Sequence, residues 1–188
     1  MWRPAALIIA LACAAPALAQ PSSGLDLRER NFLNEAAVLN LTQMHAGKLA
    51  EDLARNEEVR ALGRRLAEQH ATAHERLRAV AERHGAPLPG GLDEPTRRQI
   101  GEMQTFTGPA FDRYFLAFQE ETHLRALKQF DAQASYGGDE GLHHYAETML
   151  AMLNATLREV VNLTDAVARE QTDIPAHPDP QSAEQSPR

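Results

Sequence analysis

The sequence predicts an all-α domain: an antiparallel four-helix bundle with a short extra helix in its crossover. Three observations carry this expectation. Four long stretches place apolar side chains at helical spacing. Two of the links between them are only a few residues long, which forces antiparallel neighbours, while the third is longer and rich in Pro and Gly. No segment alternates apolar and polar residues with the period of a strand.

The ends read differently from the middle. Residues 1–19, MWRPAALIIALACAAPALA, have a basic start at Arg3, an apolar run from Ala5 to Ala15, and Ala17-Leu18-Ala19 as a small-residue cleavage site before Gln20. This pattern is that of a secretory signal peptide and is too short for a membrane span. Lipoprotein processing at Cys13 is the alternative. It is disfavoured because Ala10 stands where a leucine is preferred, three residues before the cysteine. Residues 20–26 form a linker, 27–170 the helical domain, and 171–188, QTDIPAHPDPQSAEQSPR, a polar, Pro-rich tail without periodicity that is expected to be disordered.

Cleavage after Ala19 removes the single cysteine, so the mature chain forms no disulfide, offers no thiolate to a metal and carries no thiol nucleophile. It also removes Arg3 from the 19 Lys+Arg, leaving 18 against 26 Asp+Glu, a net charge of −8. That balance argues against nucleic acid as a partner, because phosphate-backbone binding needs clustered positive charge. The mature chain is expected to be periplasmic or otherwise exported, without a transmembrane span. An envelope partner is open.

The first helix is expected over 27–55, with a stripe at Phe32, Ala36, Leu39, Ala46, Ala50 and Leu53 that Gln43 interrupts. Asn56 caps the second helix, about 57–84, whose seam of Val59, Leu62, Leu66, Ala73, Leu77 and Val80 includes His70. Counting from the turn, Gln43 and His70 stand at similar heights and could face each other. Residues 85–92, GAPLPGGL, make the crossover, and Asp93-Glu94-Pro95 opens a short helix to about Thr105 whose Ile100 and Met103 can cover one end of the bundle. Thr107 is the expected cap of the third long helix, which stops at Gly137-Gly138. Asp139 caps the fourth, about 140–170, whose stripe includes Leu142, Ala146, Met149, Leu153, Val160, Leu163 and Val167, with Thr156 as its polar interruption.

FLNEAA at 32–37, GKLA at 47–50, AEQH at 67–70, GAPLP at 85–89, FDRYF at 111–115 and ETH at 121–123, in this order and spacing, resemble the exported bacterial family called domain of unknown function 4142. The resemblance spans about residues 27–167. It implies a ferritin-like four-helix bundle in the periplasm or attached to the outer membrane, and brings no established activity. The family pattern favours an acidic residue where Gln43 stands, histidines at His70 and His123, and a histidine near Thr156. Only the two middle histidines match. A ferritin-like di-iron centre also uses a second Glu-x-x-His, and Ala67 stands three residues before His70.

The chemistry-bearing residues centre on Glu120-x-x-His123 in the third long helix. Residues three apart share a helix face, so both are expected to point inward with Leu116, Leu127 and Phe130. Gln119 and Glu121 flank Glu120, however, and a small rotation would turn it outward. With His70, and His74 one turn further along, these residues suggest a mononuclear site for one divalent transition metal, or for copper(I) if Met149 joins. The competing arrangement is a buried polar layer in which Gln43, His70, His123 and Thr156 hydrogen-bond to one another and hold the helices in register. His45, His84 and His143-His144 are expected on the surface. There is no G-x-S-x-G elbow, no Gly-rich phosphate loop and no serine with a positioned base. The expected function is therefore a non-catalytic structural or interaction role in the bacterial envelope. A metal-binding or metal-dependent redox protein is the alternative.

Overall fold

The computed structural model describes residues 24–172, which form five helices and no strand: α1 Leu27–Leu53, α2 Glu57–Arg83, α3 Glu94–Met103, α4 Gly108–Tyr136 and α5 Glu140–Thr172. The expected signal peptide, most of the linker and all but the first two residues of the expected tail lie outside the described residues. Those two continue α5 to Thr172.

Four of the five helices begin at a side chain that satisfies free N–H groups of the first turn. Asp26 and Glu29 form a capping box at α1, each carboxylate accepting from the other's backbone N–H at 2.8–2.9 Å. Asn56 accepts from Glu58 N and Val59 N at α2, Asp93 from Thr96 N at α3, and Asp139 from Leu142 N at α5. Thr107 precedes α4 but makes no side-chain cap. Gly85, with φ +60°, lies just past the end of α2, where a left-handed residue turns the chain.

α1 and α2 form one hairpin and α4 and α5 the other. The first hairpin is drawn tight by two small residues. A Cβ on Gly47 would run into the Gly63 carbonyl, and one on Gly63 into the Ala50 side chain. Antiparallel register follows from the pairs Gly47–Gly63 and Asn40–His70, whose numbers have the same sum. The hairpins pack with α1 beside α4 and α2 beside α5, and α3 lies over α1 and α4.

Each hairpin turn is held by a buried acid from the other hairpin. Glu29 of α1 accepts from Gly138 N and Asp139 N through Oε1, at 2.9 and 2.7 Å. Asp112 of α4 accepts from Arg55 N and Asn56 N, both at 3.0 Å. Both acids are nearly inaccessible to solvent.

The apolar interior is divided in two. One cluster gathers Phe32, Leu33, Leu39, Leu77, Phe130, Leu142 and Leu153 around the Gly137-Gly138 end. The other gathers Ala50, Leu62, Leu66, Phe111, Phe115, Leu116 and Val160 at the opposite end, where Ile100 and Met103 of α3 close it. On every long helix the clusters leave a gap: after Leu39 on α1, after Leu66 on α2, after Phe118 on α4 and after Leu153 on α5.

Candidate functional site

Every buried side chain in that gap is polar: Asn40, Thr42 and Gln43 from α1, His70 from α2, Gln119 and His123 from α4, and Thr156 from α5. Four helices thus contribute one belt across the middle of the molecule. Its position follows from helical spacing. Asn40 and Gln43 continue the inward stripe of Phe32 and Ala36, and Gln119 and His123 continue that of Phe115 and Leu116.

The belt's hydrogen bonds fix its tautomers. Asn40 Nδ2 donates to the Tyr145 hydroxyl at 2.8 Å, which turns Asn40 Oδ1 to His70 Nδ1 at 2.9 Å. A carboxamide oxygen only accepts, so His70 Nδ1 carries the hydrogen. His123 Nδ1 donates to its own helix at Gln119 O, 2.8 Å away. In both rings the hydrogen is on Nδ1 and Nε2 presents a bare lone pair. The rings stand edge to face with centres 6.4 Å apart. Both Nε2 atoms are buried without a hydrogen-bonding partner in the protein, and so are both amide atoms of Gln43 and of Gln119.

Charge is excluded from this region. Burial pushes His70 down to about 3, with repulsion from His123 adding to it, and His123 down to about 4 against the opposing pull of its bond to Gln119 O. Both imidazoles are neutral at physiological pH. Burial likewise raises Tyr145 well above the ordinary tyrosine range, so its hydroxyl keeps its proton.

The sequence-predicted ligands do not all meet. His70 and His123 do. Glu120 does not: it is exposed, and Gln119 takes the inward place. The inward stripe of α4 runs 115, 116, 119, 123, 126, and a residue one position off it points about 100° away. The neutral amide goes in and the carboxylate, costly to desolvate, stays in water. His74 is half-buried on the flank of α2, its Nδ1 shielded and unpartnered. Among the described residues no three His, Cys, Asp or Glu side chains come together as a metal-holding group. Gln43 is in the belt, but His70 pairs with Asn40, one turn earlier in α1, because the turn of the hairpin is centred on Arg55.

Sequence reasoning passed over Asn40 and Tyr145, although Asn40 sits three residues before Gln43 on the inward stripe and Tyr145 three after Leu142. His45 and His144 are exposed. His84 is only 20% exposed and its Nε2 lies 2.9 Å from Asp139 Oδ2, joining the end of α2 to the start of α5. His143 lies 3.4 Å from Glu147.

The sequence model of the family described as Domain of unknown function (DUF4142) matches residues 14–163. The chain belongs to this family. Among solved structures, this DUF4142 chain resembles the crystal structure of a DUF305 protein from Streptomyces coelicolor, with a TM-score of 0.64 at 16% identity, covering 73% of this chain and 90% of that one. At that identity the likeness bears on the fold. No curated protein matches. No helix among the described residues is long and apolar enough to cross a membrane.

Proposed function

We propose that this DUF4142 chain is an exported, non-catalytic protein of the bacterial envelope. In this reading it is a ferritin-like antiparallel four-helix bundle with a structural or interaction role, and its polar belt holds the four helices in a single register. The observation that carries the reading is the belt itself: each long helix contributes buried polar residues at one level, and apolar packing resumes on both sides. A one-turn slip of any helix would push Asn40, His70 or Gln119 into an apolar cluster, at a cost of roughly 1–3 kcal/mol per unpaired group. Export is supported by the signal-like residues 1–19. The DUF305 neighbour is itself described as a "putative secreted protein".

The test replaces Asn40, Gln43, His70, Gln119 and His123 together by Leu. A register role predicts a variant that stays helical but gives multiple backbone amide resonances per residue, where the parent gives one set. A single sharp set with the parent's inter-helix contacts would refute that role. Export is tested separately by fractionating cells that express the full chain. A cytoplasmic product with residues 1–19 intact would refute it.

A further inference from the structure

We propose that the α1–α4 face at the Gly137-Gly138 end of the bundle pairs with the same face of a second copy of this chain, forming a two-fold symmetric dimer. This goes beyond the register reading, which concerns the interior and needs no partner.

The seam between α1 and α4 is covered along only part of its length. At the Asp112 end α3 closes it through Ile100 and Met103. Beyond Asp93, the N-cap of α3, the seam continues as two adjoining clefts of about 320 and 460 Å³, which share Glu35 and Gln129. Phe32, Val38, Leu39, Phe118 and Ala126 give it an apolar floor, and Asn31, Asn34, Thr122 and Gln129 supply a polar, uncharged rim. An apolar centre inside a polar rim is the anatomy of a protein–protein contact. The far end of the seam carries two of the four large apolar side chains that the described residues leave exposed, Leu27 at 67% and Tyr136 at 72%. Leu27 lines the larger cleft, and Tyr136, seven residues after Gln129, continues the stripe of α4 that lines it.

Spacing and charge both select a second copy as the occupant. Val38 follows Leu27 by 11 residues and Tyr136 follows Ala126 by 10, so on each helix an exposed apolar side chain stands about 15 Å from the floor of the smaller cleft. Antiparallel stacking about a two-fold axis that crosses the seam near Phe32 sets Leu27 and Tyr136 of each copy over the cleft of the other. Protrusion and recess on one face are what an isologous contact requires. The same axis brings Arg28 of each copy within a helical turn of Glu35 of the other. Both residues line the larger cleft, and neither side chain has an ion-pair or hydrogen-bond partner among the described residues. The other charges of the seam are engaged within the chain: Arg125 pairs with Glu121, and Asp93 caps α3 at Thr96 N. A small ion of either sign would be repelled by one of the two free charges, whereas a second copy matches both.

The test measures the mass of the full exported protein by analytical ultracentrifugation over a concentration series reaching about 1 mM, where even a weak contact is populated. The parent should form a reversible dimer. Arg28→Glu and Glu35→Arg each set like charges against one another at two places and should weaken it at least about 10-fold. Mixed in equal amounts, the two variants should dimerise again, because one copy then carries acids at both positions and the other bases at both. Leu27→Asp should weaken the dimer as well, while Val161→Ser, at an exposed position on α5, should leave it unchanged. All four substitutions fall on exposed side chains, so each variant should fold. A parent that stays monomeric or grows into open chains, single charge variants that dimerise like the parent, a mixture that remains monomeric, or a dimer lost in Val161→Ser would each overturn the proposal.

Discussion

The buried acids at the ends of the molecule and the polar belt in its middle are treated in opposite ways, while Gln133 beside Gly137 is buried without a partner like the belt amides. At the ends, Glu29 and Asp112 accept from backbone N–H groups of the opposite hairpin's turn, so carboxylate and turn satisfy each other. In the middle, Gln43, Gln119 and the Nε2 atoms of both histidines find no partner in the protein. Fully paired buried groups are worth keeping for stability, whereas half-paired ones cost stability and are retained for another reason. The two end acids therefore join one hairpin to the turn of the other, and the belt in the middle leaves polar groups unpaired.

Acid provides the largest contrast. His70 and His123 are held neutral in the fold, with values near 3 and 4, while in the unfolded chain they take up protons near the ordinary value of 6.5. Their contribution to stability is complete above about pH 6.5 and is lost as pH falls through the window down to 3–4, since the unfolded state binds protons first. Between pH 7 and 4 the loss should reach roughly 3–6 kcal/mol for the pair. Urea midpoints measured across this range should show it, and His123→Leu should remove about half of the slope. An unchanged slope in that variant would mean that His123 does not carry the acid sensitivity.

Breaking the ends comes next. Asp112→Ala strips the acceptor from two backbone N–H groups and Glu29→Ala from three, and each should cost about 2–3 kcal/mol in chemical denaturation. Glu29→Gln, which keeps an acceptor oxygen, should cost less than Glu29→Ala. The smallest effect has the opposite sign. Gln43→Leu removes two unpartnered polar atoms and should leave stability unchanged or raise it by up to about 1 kcal/mol. A loss of more than about 2 kcal/mol there would mean that the Gln43 amide is engaged and that middle and ends are alike.

How far the site could be read in advance differs from residue to residue. His70 and His123 were legible because each falls on an apolar stripe where an imidazole is conspicuous. Asn40 falls on such a stripe too, but an asparagine near Gln43 and His45 does not stand out until its pairing with Tyr145, 105 positions away, is known. Glu120 was misplaced because Glu-x-x-His describes spacing along a helix, while inward direction depends on which neighbouring stripe the partner helices cover. Asp26-x-x-Glu29 is visible as a capping box, yet the second task of Glu29, at the turn after α4, joins residues 109 positions apart.

Local chemistry alone set the helices and their turns, because caps, apolar periodicity, Gly137-Gly138 and the Pro-rich crossover act within a few residues of where they stand. Tertiary structure decided the rest: that Gln119 and not Glu120 faces inward, that Asn40 orients His70, and that the Nε2 atoms of His70 and His123 are both buried without a partner. Those outcomes depend on helix rotation, and a turn of about 100° per residue exchanges a buried amide for an exposed carboxylate without altering the spacing along the chain.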